Sequence, residues 1–275
     1  MIFWHNGKFF SEEEKQFSAQ ERLLRYGDGF FESMLSVNAR LLWVAEHYAR
    51  ISVSAKVLRM QLPNYFTQAF FTRILNEMVQ KNEQDNLRFR VVVYRAGEGL
   101  YAPQTNEAGV FITCSEVIPT NSLSIIDNMT IYSENKKALG NLANIKSCNA
   151  LLYVLASLYA KENNAQEAVI LNTENNLCEA ISANIFIIKN EQLITPPLSA
   201  GCVAGVVRSK ILENRDVQEN TISVEDLREA EAVFLTNVSK GIQAVRAIDD
   251  KRYDIEPIKK VYADYQKTVE AAIGY

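Results

Sequence analysis

Two short stretches of this chain hold residue types that act on amines and carbonyls. The first is Asn144-Ile145-Lys146-Ser147-Cys148-Asn149-Ala150-Leu151-Leu152, where a lysine opens an apolar segment running to Ala160. The pattern predicts a buried helix over 146–163 with Lys146 at its head. Burying an ammonium is costly, and the usual resolutions are a depressed pKa or covalent use of the amine. The second stretch is Leu177-Cys178-Glu179-Ala180-Ile181-Ser182-Ala183-Asn184-Ile185-Phe186-Ile187-Ile188, a carboxylate beside an apolar strand. An activated amine can hold a carbonyl carbon covalently, and a carboxylate can keep a ring nitrogen protonated, so the pair suits a carbanion-stabilising cofactor. Each has a plainer reading alone: Lys146 as a surface lysine with its stem along apolar residues, Glu179 as a solvated strand end.

The elements that must position these residues are legible along 275 residues, of which 48% are hydrophobic and 23% charged, enough to build a substantial core. A hairpin is predicted from Ile2-Phe3-Trp4 and Lys8-Phe9-Phe10 turning at Asn6-Gly7. Arg25-Tyr26-Gly27-Asp28-Gly29-Phe30-Phe31-Glu32-Ser33-Met34 reads as a glycine-punctuated loop entering a strand. Helices are expected at 44–60 and 66–82. Leu87 to Arg95 then alternates, with Leu87, Phe89, Val91 and Val93 on one face and Arg88, Arg90, Val92 and Tyr94 on the other. A further strand is expected at 108–117. Residues 1–118 form one expected subdomain and 119–275 a second, with strands at 129–134, 167–172, 183–189 and 231–236 and further helices at 206–214 and 257–272. Strands and helices mix without regular βαβ alternation, which predicts an α+β fold, and neither glycine-rich nucleotide fingerprint is present.

A net charge of −4 gives no basic footprint, which argues against nucleic acid or an anionic membrane as partner. The start of the chain lacks a secretion signal and no uncharged run reaches membrane-spanning length, so a cytoplasmic protein is expected. Four cysteines without a C-x-x-C pair read as reduced thiols. Only His5 and His47 are present, which argues against a histidine-based metal site, and no metal is expected. His47 reads as a helix-face residue without chemistry.

In this order and with these flanks, the two stretches resemble the class IV aminotransferase family, the fold-type IV pyridoxal 5'-phosphate (PLP) enzymes, which include branched-chain and D-amino-acid aminotransferases and aminodeoxychorismate lyase. The resemblance implies PLP as cofactor, a two-subdomain fold like that of D-amino-acid aminotransferases, a homodimer and a small-molecule amino substrate. Lys146 matches the family's catalytic lysine. Glu179 matches the acidic residue of its Glu-Gly/Ala-x-x-x-Asn-x-Phe pattern, with Ser182 and Asn184 as hydrogen-bonding neighbours of the cofactor and Asn149 as part of a Lys-x-x-Asn variant. Gly201-Cys202-Val203-Ala204-Gly205-Val206-Val207-Arg208 resembles the family's Gly-Ile-Thr-Arg phosphate element, where a helix start offers N–H groups at Val206 and Val207. Val207 replaces the usual threonine, so backbone must suffice there.

Arg50, in His47-Tyr48-Ala49-Arg50-Ile51, matches the phosphate-binding arginine of a His-x-x-Arg-Leu/Ile pattern. In the Thr236-Asn237-Val238-Ser239-Lys240-Gly241-Ile242 loop Ser239 is the expected phosphate contact. Arg90 matches a substrate-binding basic residue, and Tyr26 and Phe31 match residues lining the substrate pocket. A plain strand-face reading stays open for Arg88 and Arg90. The loop's Thr-Asn form, a Lys146-Ser147-Cys148-Asn149-Ala150 stretch without the tyrosine that branched-chain enzymes carry soon after their lysine, and the place of Arg90 lean toward the lyase, which makes 4-aminobenzoate, a folate precursor, and pyruvate from 4-amino-4-deoxychorismate. Transamination of branched-chain or D-amino acids is the alternative.

Overall fold

The computed structural model describes residues 1–11, 14, 18–119 and 122–274. The chain resolves into two compact units, one of Met1–Pro119 with Ile145–Asn149 and Ala272–Tyr275, the other of Thr120–Asn144 with Ala150–Ala271.

In the first unit the order is β1 (Ile2–His5), β2 (Lys8–Ser11), α1 (Arg22–Tyr26), β3 (Gly29–Val37), β4 (Arg40–Leu41), α2 (Val44–Val57), α3 (Gln68–Asn82), β5 (Leu87–Arg95) and β6 (Ala108–Glu116). Its six strands form one antiparallel sheet in the order β2-β1-β6-β5-β3-β4. The Asn6-Gly7 hairpin forms as expected, with both residues at positive φ (44° and 98°) and His5 facing Lys8. The β5 alternation also holds: Leu87, Phe89, Val91 and Val93 enter a core with Phe71, Leu75 and Met78 of α3. Arg88 and Arg90 stay exposed on the other face.

The second unit contains β7 (Ser124–Ile126), β8 (Met129–Lys137), α4 (Leu151–Glu162), β9 (Glu167–Asn172), β10 (Leu177–Ala180), β11 (Asn184–Lys189) and β12 (Gln192–Thr195). After a 3-10 turn at Leu198–Ala200 come α5 (Val206–Asn214), β13 (Gln218–Glu219), α6 (Val224–Glu229), β14 (Ala232–Asn237), β15 (Gly241–Val245), β16 (Ala247–Ile248), β17 (Lys251–Arg252) and α7 (Glu256–Ile273). The strands make two mixed sheets, β10-β9-β8-β16-β17 and β13-β12-β11-β14-β15-β7. Their apolar faces share a core that includes Val169, Leu177, Ile185, Ile187, Val233 and Leu235. The fold is α+β, as the mixed element order predicts. Short strands such as β7, β12 and β13 are too brief to leave an alternation in the sequence.

One expectation fails. The helix predicted over 146–163 begins only at Leu151. Ser147 instead forms an antiparallel bridge with Phe30, in which the Phe31 N–H donates to the Lys146 carbonyl (2.9 Å) and the Cys148 N–H to the Gly29 carbonyl (2.9 Å). Backbone satisfaction by the free edge of β3 therefore overrides the helical pattern over that stretch. The helix is not buried all round either, since Leu151, Val154, Leu155 and Leu158 are exposed.

Candidate active site

Lys146 is thus held by a strand edge and not by a helix terminus. Residues of β3 alternate across the sheet, so Phe30, Glu32, Met34 and Ser36 are buried while Phe31 and Ser33 lie on the half-open face. On that face Arg90 stands opposite Ser33 and diagonal to Phe31. The Phe31 ring carries two cations: the Arg90 guanidinium lies 3.9 Å and the Lys146 ammonium 4.6 Å from its centroid. Both distances are those of a cation–π contact. Partial desolvation and the neighbouring Arg88 charge lower the Arg90 pKa. Tyr26 is half-buried, with Arg22 and Arg25 over its ring and Tyr101 beside it at 5.6 Å.

On the core face of β3, Glu32 accepts from Arg50 Nε and Nη2 (2.6 Å each) and from His47 Nδ1 (2.7 Å). Burial alone would raise its pKa, but the Arg50 charge and the hydrogen bonds from His47 and Arg50 outweigh it and hold the carboxyl at about 2. Burial lowers the His47 pKa, so His47 donates as a neutral imidazole. His47, expected without chemistry, is therefore one of the residues that fix Arg50. The fork of Arg50 is engaged along one edge by Glu32, which orients the guanidinium on α2.

In the second unit Glu179 is 3% exposed. It lies just past a β-bulge: Leu177 faces Leu171 while Glu179 faces Ile170, leaving Cys178 as the extra residue. Oε1 accepts from Lys137 Nζ and from the Tyr153 hydroxyl (2.7 Å), and Oε2 from the Val203 N–H (2.8 Å). Burial and then the Glu179 charge push the Tyr153 hydroxyl far above its ordinary pKa, so it remains a donor. Lys137 reaches this point because β8 loses register with β9 between Tyr132 and Lys137. Sequence reading missed Lys137 and Tyr153. Tyr153 had a signal, a phenol among the aliphatic residues at the head of the helix, whereas the register shift that delivers Lys137 had none.

The turn that supplies the Val203 N–H runs straight into α5. Asn184 Nδ2 donates to the Val203 carbonyl (2.8 Å), and a Cβ on Gly205 would lie 1.9 Å from Asn184 Oδ1. Only glycine fits there. Gly205 is the N-cap of α5 without a side-chain cap, which leaves the first-turn N–H groups at Val206 and Val207 to an outside acceptor. Across from Asn184 in β14 stands Thr236, 1% exposed, whose Oγ1 has no partner among the described residues. An uncapped helix start, a buried unpartnered hydroxyl and a carboxylate with a lone pair left on Oε2 are the donor and acceptor set that a phosphorylated, ring-nitrogen-bearing cofactor requires. The residues fit such a group.

Other expected contacts have different partners. Ser182 Oγ donates to Glu167 (2.6 Å), and Asn149 Nδ2 donates to the Gly27 carbonyl (3.2 Å), tying the lysine segment to the turn after α1. Asn184 braces the α5 turn. Ser239 is half-buried in a turn that Asn237 closes by accepting from the Lys240 N–H (2.8 Å). Thr236 was passed over because it ends a strand that reads as core.

The amino-transferase class IV family model matches residues 29–248. This chain belongs to that family. A D-alanine aminotransferase of Staphylococcus aureus (strain MSSA476) is 28% identical over 97% of each chain. An aminodeoxychorismate lyase of Vibrio harveyi is 26% identical over 94% of this chain and 96% of its own. Among solved structures, a branched-chain aminotransferase from the archaeon Thermoproteus uzoniensis, crystallised with norvaline, superposes with a TM-score of 0.90 at 23% identity, covering 100% of this chain and 96% of that one. That likeness establishes the fold. No helix among the described residues is long and apolar enough to cross a membrane.

Proposed function

We propose that this chain is a PLP-dependent lyase that converts 4-amino-4-deoxychorismate to 4-aminobenzoate and pyruvate, working as a cytoplasmic homodimer. The observation that carries the reading is the pair of cations on Phe31: a lysine amine and an arginine share one aromatic support. Bound PLP supplies the electron sink for the charge left when the substrate's α proton departs. With PLP bound, Lys146 Nζ would be the amine that holds it and, once the substrate amine has taken its place, the general base that accepts the α proton. Glu179 keeps the ring nitrogen protonated, with Lys137 and Tyr153 fixing its Oε1. The Val206 and Val207 N–H groups, with Thr236 as a further donor, would hold the phosphate, and the family resemblance gives Arg50 the same task. Arg90 binds a substrate carboxylate, and exposed Arg88 on the same strand face suits a dicarboxylate. Enolpyruvate leaves, takes up a proton to become pyruvate, and the ring becomes aromatic.

Transamination of a branched-chain or D-amino acid is the second reading, favoured by relatives that carry aminotransferase names. In that reaction the same lysine would move the α proton onto the cofactor, and water would then release the keto acid and leave the amino group behind on the cofactor. The experiment is incubation with enzymatically generated aminodeoxychorismate, scoring 4-aminobenzoate and pyruvate beside transamination of amino acids on the same preparation. The lyase reading expects both products in equal amounts, their loss in Arg90→Leu, and only slow half-transamination. Rapid multiple-turnover transamination with no 4-aminobenzoate would replace it by the second reading.

A further inference from the structure

Strand β8 makes a detour to bring a cation to Glu179. Tyr132 faces Ile170 of β9, and the next register partners are Lys137 and Asn172, so five steps along β8 match two along β9. Ser133, Glu134, Asn135 and Lys136, which make up the difference, are all exposed, and Lys137 turns back in to 8% exposure. Its carbonyl accepts from the Thr173 N–H (3.1 Å), which anchors the return. The excursion gives up ladder hydrogen bonds and ends by burying an ammonium, which is costly unless the charge is paired. Hydrogen bonding alone does not require it. Glu179 already accepts from the Tyr153 hydroxyl (2.7 Å) and the Val203 N–H (2.8 Å), both neutral donors. Lys137 adds a positive charge at Oε1, and its ammonium lies 5.5 Å from the centre of the Tyr153 ring.

The neighbours of this pair leave that charge unopposed. Burial, and then the Glu179 charge, push the Tyr153 hydroxyl of α4 and the Cys178 thiol of β10 far above their ordinary ranges, so both stay neutral. Burial pushes the Cys202 thiol, in the turn before α5, up to about 11. Arg208 of α5, whose charge reaches Cys202, is itself paired with Glu219. Lys137 and Glu179 therefore already balance one another. A proton on a ring nitrogen brought to Glu179 completes a row of plus, minus and plus, and it meets a repulsion that a lone carboxylate would not impose. We infer that Lys137 tunes the electron sink: acting through Glu179, its charge weakens the carboxylate's hold on the proton of a bound cofactor's ring nitrogen. Lys137 is thus a positioning residue and touches no reacting atom. The inference rests on the PLP site proposed above and holds for either reaction.

Nitrogen-15 NMR of the full chain, loaded with PLP labelled at the ring nitrogen and followed against pH, tests it by reporting that nitrogen's protonation directly. Lys137→Gln keeps a donor and loses the charge, and it should raise the midpoint for loss of the ring proton by about 1 unit or more, as removal of a nearby like charge does. Lys137→Arg keeps the charge and should titrate like wild type. Glu179→Gln is the control for the site itself and should lower the midpoint. If Lys137→Gln loses its far-UV circular dichroism, Lys137→Met takes its place and should move the midpoint in the same direction. An unchanged midpoint in Lys137→Gln beside a lowered one in Glu179→Gln would overturn the inference and leave the PLP site standing. So would a Lys137→Arg midpoint as high as that of the glutamine variant, or a wild-type nitrogen that keeps its proton at every pH where the protein is folded. A midpoint that neither Lys137→Gln nor Glu179→Gln moves would show that Glu179 does not meet the ring nitrogen, and would remove that part of the proposed site as well.

Discussion

Glu32 in the first unit and Glu179 in the second are both buried, and each accepts three hydrogen bonds from protein donors. Their surroundings differ in origin. The donors to Glu32 come from one helix, His47 and Arg50 of α2, so a single element decides its geometry. The donors to Glu179 come from three places: the end of β8, the first turn of α4 and the turn before α5. A carboxylate gripped by a rigid arginine fork is a brace for that arginine. A carboxylate where three segments converge, with one donor from each, is a junction that sets where an approaching cationic ring nitrogen must lie. Equal burial thus serves two purposes, and the source of the donors separates them.

The largest expected effect strikes the brace. Glu32→Gln removes the buried carboxylate to which Arg50 and His47 bond, and breaking such a pair typically costs about 3–5 kcal/mol. The pH dependence follows from the depressed pKa of Glu32, about 2 against an ordinary 4.5. Its contribution is complete above the unfolded pKa and is lost as pH falls toward about 2. Thermal melts of wild type and Glu32→Gln should therefore converge as the pH drops through that window. A constant gap would show that Glu32 is already protonated in the fold.

Next comes the junction. Glu179→Gln should retain cofactor but slow α-proton removal on the order of 10²-fold or more, since an amide no longer holds the ring nitrogen protonated. Near-normal turnover would assign that task elsewhere. Arg50→Ala should raise the Kd for PLP by roughly 10- to 150-fold, corresponding to about 1.5–3 kcal/mol for a charge-assisted contact, while affinity for pyridoxal, which lacks the phosphate, stays unchanged. Equal losses for both ligands would make Arg50 purely a partner of Glu32. The smallest effect belongs to Phe31→Leu: a cation–π contact at an exposed site contributes about 0.5–1 kcal/mol, so substrate KM should rise about two- to fivefold with little change in kcat. A collapse of kcat would mean that the ring also positions the lysine for proton transfer.

The same contrast explains what the sequence made legible. The α2 helix, the His47-x-x-Arg50 spacing and the β5 alternation are local patterns, and all three hold in the structure. Arg90 could be placed on the correct strand face because period-two alternation leaves no choice of side. Lys137, Tyr153 and the Val203 N–H meet Glu179 through a β-bulge, a register shift and a turn, none of which has a local signature. The head of the expected helix was misread for a related reason: residues 146–148 obey the hydrogen-bonding demand of a strand edge more than 100 positions earlier. Thr236 was hidden because an unpartnered hydroxyl looks like any other strand threonine until its neighbours are known.

The central claim is that Lys146 is the amine that holds PLP. Borohydride reduction of the PLP-loaded protein, followed by peptide mapping, tests it most directly. The account predicts a yellow protein whose absorbance band shifts on reduction, with one stable pyridoxyl label on Lys146 and none in Lys146→Ala. A colourless protein that takes up no PLP, or a label mapped to Lys137 or any other lysine, would contradict it.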